Sequence, residues 1–146
     1  MDRLHFAVAL RSLALAVWFG GGIATVLATS AVFARAESRK VAGDLAGAIL
    51  LRTNRLRGVA ALVFGISVLL GAAGIATWLG GGCLLLQAAA IPVDSAARRI
   101  RRALGGNVDA LAPEDPRRRR FGALHGVAML LLLSQVLLSA AALSLQ

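Results

Sequence analysis

The longest uncharged run in the chain covers residues 58–93, thirty-six positions without an Asp, Glu, Lys or Arg. The hydrocarbon core of a bilayer is about 30 Å thick and a helix rises about 1.5 Å per residue, so one crossing needs roughly 20 residues. The run is too long for one upright helix and nearly long enough for two. Three consecutive glycines at 80–82 are the strongest helix breaker inside it. The pattern therefore predicts a helical hairpin that turns at residues 80–82.

Two further uncharged runs lie near the ends of the chain, at residues 12–34 and 121–145. Together with hairpin arms at 58–78 and 82–97, they predict four membrane spans. The first run also resembles the apolar region of a signal peptide, because two arginines precede it. We favour a span over a cleaved leader, since its twenty-three residues exceed the roughly 7–15 of such a region.

The segments between the spans combine apolar and charged residues. In residues 35–57 the apolar positions recur at near-helical spacing between basic ones, which indicates an amphipathic helix at the membrane surface. A second amphipathic helix is predicted at 95–104, where Asp94 and Ser95 supply a cap after Pro92 interrupts the preceding arm. Residues 105–120 contain two prolines and four consecutive arginines, and they are predicted to form a solvated loop.

Composition supports a membrane protein. The chain is 58% hydrophobic, and sixteen Lys and Arg against seven Asp and Glu give it a net charge of +9. The basic residues cluster beside the apolar runs, so we attribute the charge to topology and anionic lipid and not to nucleic acid. The predicted fold class is all-α, an integral membrane four-helix bundle with cytoplasmic amphipathic segments. It forms a single membrane domain over residues 1–146.

The distribution of basic residues predicts the orientation. Residues 35–57 hold six and residues 94–120 hold eight, fourteen of the sixteen in the chain. By the positive-inside rule both segments face the cytoplasm, and both termini lie outside the bacterial inner (plasma) membrane. A three-span alternative would place eight arginines outside, and the asymmetry argues against it. Anionic lipid headgroups are the predicted partners of Arg98, Arg99, Arg101, Arg102, Arg117, Arg118, Arg119 and Arg120.

Small residues within the runs are candidates for helix packing, because apolar burial gives little drive for association between helices in lipid. Gly21, Thr25 and Thr29 follow one another at intervals of four in the first span, and the last span supplies Gly122 and Gly126. They predict close packing within one chain, which we favour, or the contact faces of a homo-oligomer.

Polar chemistry within the spans is sparse. Gln87 and Gln135 are predicted to form a hydrogen bond across the bundle, which we favour over a ligand site. His125 and Met129, one turn apart, are weak candidates for a soft metal. The topology places His5 and His125 at opposite membrane faces, about 30 Å apart, so a shared haem or copper ion is not predicted. No cofactor is expected.

Several short motifs are spread over nearly the whole chain. They are Trp18-Phe-Gly, Ala31-Val-Phe, Arg39-Lys-Val-Ala-Gly43, Pro92 at the end of the third span, and Phe121-Gly-Ala-Leu-His-Gly126. Together they resemble the transmembrane protein 205-like family. The resemblance implies a four-span membrane protein with no established enzymatic activity, whose animal relatives are associated with resistance to platinum drugs. Residues 18–22 are also similar to an element of bacterial copper-resistance membrane proteins.

The residues favour a small polytopic membrane protein without catalytic activity. We expect a structural or accessory component of a membrane assembly, with a membrane-protein partner or a second copy, because no nucleophile and base pair or metal triad is evident. The alternative is a protein for transport or metal (copper or haem) handling, which depends on His125, Met129 and Cys83. Carboxylates are the usual ion carriers in ion-coupled transport, and residues 12–34, 58–93 and 121–145 contain none, which argues against that function.

Overall fold

The computed structural model describes residues 2–145, and these are almost entirely helical. The elements are α1 (Arg3–Arg35), α2 (Arg39–Leu69), α3 (Ile75–Ala103) and α4 (Pro116–Ser144), with a short 3-10 helix at Val108–Ala110. No strand occurs in the described part of the chain. The predicted all-α class is confirmed.

The four helices pack as two pairs, in which α1 lies along α2 and α3 lies along α4. Contacts between α1 and α4 join the two pairs. Consecutive helices α2 and α3 touch at few positions. Leu15, Trp18 and Phe64 supply the large side chains of the core. Its small residues are Ala14, Ala60, Ala76, Cys83 and Ala142.

The central turn lies at residues 70–74, and the prediction of a turn at 80–82 is wrong. Gly71 and Gly74 have φ values of +102° and +97°, which glycine adopts far more readily than other residues. The glycines at 80–82 lie inside α3, where Gly80 faces the Phe64 ring so closely that a Cβ would overlap it. Close helix packing accounts for Gly80 and Gly82, whereas a Cβ at Gly81 would meet no atom within 4 Å.

The predicted amphipathic segment 35–57 is not a separate helix. α2 starts after Ser38, whose Oγ accepts a hydrogen bond from the Val41 amide at 3.2 Å, and continues unbroken to Leu69. The predicted second span, 58–78, is therefore divided between α2 and α3. α2 packs against α1, a tertiary contact that the change from charged to uncharged sequence did not reveal.

Pro92 does not interrupt α3. The helix continues through it to Ala103, so the predicted boundary between the third span at 82–97 and an amphipathic helix at 95–104 is absent. A proline removes one backbone hydrogen bond and strains the preceding turn. α3 as a whole packs along α4, and this tertiary contact supports a continuous helix.

The predicted loop at 105–120 is shorter than expected, because α4 begins at Pro116 and not at residue 121. Asp115 is the N-cap, and its Oδ1 accepts a hydrogen bond from the Arg117 amide at 2.8 Å. Proline suits the first helical position, where its missing N–H has no helical partner. Cap and proline together start the helix inside the basic cluster.

This cap makes the start of α4 sensitive to acid. Side-chain and backbone hydrogen bonds from Arg117 lower the pKa of Asp115. A carboxyl whose folded pKa lies below its unfolded value stabilises the fold above about pH 4, and the stabilisation is lost as pH falls through the folded pKa. We expect Asp115→Ala to reduce hydrogen-exchange protection at the start of α4 at pH 7 and to remove its acid dependence.

The control for this prediction is Asp109→Ala. Asp109 forms only a long ion pair with Arg118, 3.8 Å between Nη2 and Oδ1, and caps no helix. Its loss should leave protection and pH dependence as in the parent protein. Equal protection in Asp115→Ala and the parent would contradict a capping role.

Three helices, α1, α3 and α4, are long and apolar enough to cross a membrane. In the apolar window of each, only 17–22% of the residues are buried. Large apolar side chains that are 70–83% exposed are Leu62, Leu69, Trp78, Leu85 and Leu137. α2 is not among these three helices. Its uncharged part, residues 58–69, is only about 18 Å long, shorter than the hydrocarbon core of a bilayer.

Candidate functional site

A cluster of polar side chains lies inside the protein, where the four helices meet. It consists of Trp18 from α1, Asn54 and Arg57 from α2, Gln87 from α3 and Gln135 from α4, and we call it the polar cluster. Trp18, Gln87 and Gln135 belong to uncharged runs of the sequence. Arg57, directly before an uncharged run of α2, thus lies in a cluster with side chains from the uncharged runs of the other three helices.

Gln135 connects α4 to two other helices. Its Nε2 donates to the Cys83 carbonyl at 2.8 Å and to Gln87 Oε1 at 3.4 Å, and its Oε1 accepts a hydrogen bond from Arg57. The side chain is fully buried. The structure thus brings together Gln87 and Gln135, the pair that the sequence predicts to meet, and adds a cation to them.

Trp18 connects α1 to α2 and α3. Its indole Nε1 donates to Gln87 Oε1 at 2.8 Å and to the Arg57 carbonyl at 3.3 Å. The ring is completely buried and packs against Phe64, with centroids 5.5 Å apart. Trp18 therefore orients Gln87 Oε1, the oxygen that also accepts the hydrogen bond from Gln135 Nε2.

Arg57 is a buried cation held by neutral partners. Its Nη1 donates to Asn54 Oδ1 at 3.1 Å, its Nη2 donates to Gln135 Oε1, and its Nε is buried without an acceptor. The side chain is 6% exposed. Within residues 2–145 no carboxylate forms an ion pair with it. Asn54 also donates from Nδ2 to Asp94 Oδ2 at 2.9 Å, so an amide stands between the cation and this carboxylate.

A second buried arginine, Arg11, lies nearer the turn between α2 and α3. Its Nη1 donates to the Ala73 carbonyl at 2.8 Å and to Thr77 Oγ1 at 3.0 Å. Its Nε is also buried without an acceptor. Arg11 therefore fixes α1 to the central turn.

An open groove of about 380 Å³ lies between the first half of α2 and the end of α3. Gly43 and Gly47 form the α2 side, and Arg98, Arg101 and Arg102 line the α3 side. We call it the basic groove. Arg101 crosses it, donating from Nη2 to Asp44 Oδ1 at 2.9 Å and from Nη1 to the Gly43 carbonyl.

The predicted metal candidates lie away from the polar cluster. His125 is exposed and stacks on Phe121 with ring centroids 6.3 Å apart, and Met129 is half-buried one turn later. His125 and Gln135 are ten residues apart on one helix, about 15 Å. His5 is exposed near the start of α1, with Nδ1 3.6 Å from Asp2 Oδ2. No group of three His, Cys, Asp or Glu side chains that could hold a metal occurs among residues 2–145.

The predicted packing residues behave differently from one another. Thr25 is buried, as expected of a packing residue, and Thr29 is half-buried; their hydroxyls donate to carbonyls of their own helix at 2.7 Å and 2.8 Å. A Cβ at Gly21, Gly122 or Gly126 would have no atom within 4 Å, so the prediction of close packing within the chain is wrong for these three.

The packing glycines of the structure are others. A Cβ on Gly22 would meet Val136, one on Gly80 would meet Phe64, and one on Gly82 would meet Leu138. Both glycine triplets in the sequence therefore contribute to helix contacts. The sequence signal for these contacts is the pair of glycine triplets at 20–22 and 80–82, but it does not show which glycine of each triplet faces a neighbouring helix.

Most of the arginines predicted to contact lipid are exposed. These are Arg98, Arg99, Arg102, Arg117, Arg119 and Arg120. Arg101 and Arg118 are half-buried, and Arg118 donates from Nη1 to the Leu111 carbonyl at 2.7 Å. These two side chains therefore stabilise the fold at this end of the protein.

The fold and its interior define an all-α protein with three candidate membrane-spanning helices and a buried arginine and amide cluster. The chain matches no protein-family model, and neither a characterised protein nor a solved structure is detectably similar to it. The resemblance to the transmembrane protein 205-like family stays a prediction.

Proposed function

We propose that the protein is a small multi-pass membrane protein whose four helices form a bundle in a bacterial plasma membrane. The observation that carries this proposal is the apolar outer surface of α1, α3 and α4, of which at most 22% of each apolar window is buried. Soluble monomers rarely expose apolar patches of more than a few hundred Å². In this arrangement α2 is the fourth helix of the bundle, and it contributes Arg57, the cation of the polar cluster.

The proposed orientation has both termini outside and the basic segments in the cytoplasm. Support comes from the contact of Arg101 with Asp44, 2.9 Å between Nη2 and Oδ1, which joins the end of α3 to the start of α2. The loop between α3 and α4 begins after Ala103, two residues beyond Arg101, and holds Asp115, the cap before the run of four arginines. Cytoplasmic segments of membrane proteins carry such an excess of Lys and Arg.

The role that we propose is that of a structural or accessory component of a membrane assembly, without catalytic activity. Support comes from the interior, where the polar side chains of Trp18, Gln87 and Gln135 serve each other as hydrogen-bond partners. The Cys83 thiol lies 3.7 Å from the Gln135 carbonyl and has no neighbouring base in the polar cluster. We also propose that the chain belongs to the transmembrane protein 205-like family, on the motifs given above.

Membrane transport is a second candidate function, and one observation favours it. Charged residues inside membrane segments are costly and commonly mark a substrate or ion pathway. Arg57 is such a residue, since it is buried beside Trp18 and Gln135.

These functions are distinguished by purification from the native host. We expect the tagged protein to resist alkaline extraction from membranes and to elute in mild detergent with partner chains that mass spectrometry identifies. Metal analysis and an absorbance spectrum are taken on the same sample. A tag at either terminus should be digested by protease added outside spheroplasts, because both termini are proposed to lie outside.

Three outcomes would contradict these proposals. Recovery in the aqueous fraction after alkaline extraction would exclude an integral membrane protein. A single chain that elutes alone would contradict an accessory role and favour transport. Stoichiometric copper or haem that is lost in His125→Ala would establish metal handling, despite the exposed position of this histidine.

A further inference from the structure

We propose that Arg57 is the binding site for a phosphate group, which reaches it through the basic groove between α2 and α3. The shared ligand chemistry is a tetrahedral oxyanion, supplied either as free phosphate or as the phosphate of an anionic lipid. The site goes beyond the accessory role and presupposes the membrane-embedded bundle proposed above. It also gives the transport alternative a substrate class.

The first line of support is the incomplete pairing of the buried cation. Burying a charged group without a paired counter-charge is costly, by several kcal/mol in general. Arg57 meets only the amide oxygens of Asn54 and Gln135, and its Nε has no acceptor at all. An anion would supply the missing acceptor at Nε and a counter-charge in direct contact with the guanidinium group, whereas Asn54 stands between Arg57 and Asp94.

The second line of support is the geometry of the guanidinium group. Nε and Nη2 point from one edge of the planar group, which matches two oxygens of a phosphate or carboxylate. Gln135 Oε1 occupies the Nη2 position on this edge. Since Gln135 Nε2 remains anchored on the Cys83 carbonyl at 2.8 Å, its oxygen can yield to a phosphate oxygen without loss of the helix contact.

The third line of support is a route to the site. The basic groove ends near Gly47 on α2 and Arg98 on α3. Asn54 lies about 10 Å further along α2, and Asp94 lies about 6 Å further along α3. Their hydrogen bond of 2.9 Å joins the two helices beyond the groove, and Asn54 Oδ1 in turn accepts a hydrogen bond from Arg57 Nη1 at 3.1 Å.

The charges along this route suit an anion. Arg98 and Arg102 line the groove and are exposed, and an excess of one charge in a cleft concentrates oppositely charged ligands. Asp44 also lines the groove, but its carboxylate is paired with Arg101 at 2.9 Å. Asp94 opposes entry by its negative charge and holds Asn54. Release of Asn54 from Asp94 would open the route and free an amide N–H for the ligand.

The test uses the full chain in nanodiscs of purely zwitterionic lipid, with equilibrium binding of radiolabelled phosphate at fixed ionic strength. We expect saturable binding to the parent protein and a loss of affinity of about 10- to 100-fold in Arg57→Gln, as for removal of a charge-assisted hydrogen bond. Arg11→Gln is the matched control, because Arg11 is also buried with an unpaired Nε but lies away from the groove. It should bind phosphate as the parent protein does.

A second variant keeps the test informative if Arg57→Gln does not fold. Asp94→Asn retains an oxygen for the bond from Asn54 and removes the opposing charge, so phosphate affinity should rise by about tenfold. No change in Asp94→Asn, or equal affinity in Arg57→Gln and the parent protein, would overturn the site.

The source of the phosphate group is decided by a second nanodisc preparation that contains anionic phospholipid. Protection of the parent protein against thermal unfolding by this lipid, lost in Arg57→Gln and kept in Arg11→Gln, would assign the site to lipid phosphate. Parent protein that binds neither free phosphate nor anionic lipid through Arg57 would overturn the proposal while leaving the membrane bundle intact. A chain that does not enter the bilayer would overturn both.

Discussion

Replacement of Trp18 by alanine is expected to destabilise the protein by about 3–5 kcal/mol, the usual cost of truncating a buried tryptophan. The side chain is fully buried, packs against Phe64 and donates to both Gln87 and the Arg57 carbonyl. The variant therefore leaves a cavity and removes the donor that orients Gln87. Unfolding in mixed detergent, followed by circular dichroism, measures the loss.

Trp78→Ala is the matched control, since the chain contains only these two tryptophans. Trp78 is 83% exposed at the start of α3, so its truncation should change the free energy of unfolding by less than about 0.5 kcal/mol. Each variant retains one tryptophan, which also permits fluorescence as an independent probe. Similar losses in the two variants would show that the core is not centred on Trp18.

The second large effect is expected from Gly80→Ala. A Cβ at this position would overlap the ring of Phe64, and that ring cannot withdraw easily because it is buried and packs on Trp18. Overpacking of a core typically costs about 1–3 kcal/mol. We expect a loss of this size, measured by the same unfolding experiment.

The neighbouring position provides the control for this substitution. A Cβ at Gly81 would have no atom within 4 Å, and alanine is the better helix former, so Gly81→Ala should be neutral or stabilising by up to about 1 kcal/mol. Both glycines lie in the same turn of α3. Should Gly80→Ala prove as stable as Gly81→Ala, the close approach of α2 and α3 at Phe64 would be refuted.

The sequence was sufficient to predict the helical class and the approximate position of three apolar helices, because their uncharged runs are a local property. It was not sufficient to place the central turn. Gly71 and Gly74 have the positive φ values of a turn in the structure. In the sequence, however, any glycine-rich stretch is a possible turn, and three consecutive glycines at 80–82 are a stronger turn signal than two separated ones. What distinguishes them is the contact of Gly80 with Phe64, sixteen residues earlier in the chain.

The polar cluster was predictable in part. Two polar side chains in otherwise apolar runs, Gln87 and Gln135, are expected to meet since the bilayer offers them no other partner. Arg57 was assigned to a cytoplasmic segment because it sits among other basic residues in the sequence. Its bond to Gln135 spans seventy-eight residues, and no periodicity within α2 indicates such a contact.

In the proposed membrane bundle, the short apolar part of α2 has a consequence for the surrounding lipid. Its uncharged residues, 58–69, cover about 18 Å, whereas residues 12–34 of the neighbouring α1 cover about 34 Å. In the proposed bundle the protein would therefore present a different hydrophobic thickness on its two flanks. A bilayer adapts to such mismatch by local thinning, at a modest cost for each ångström. The α2 flank would draw headgroups and water inward and make the membrane thinnest beside the buried arginine.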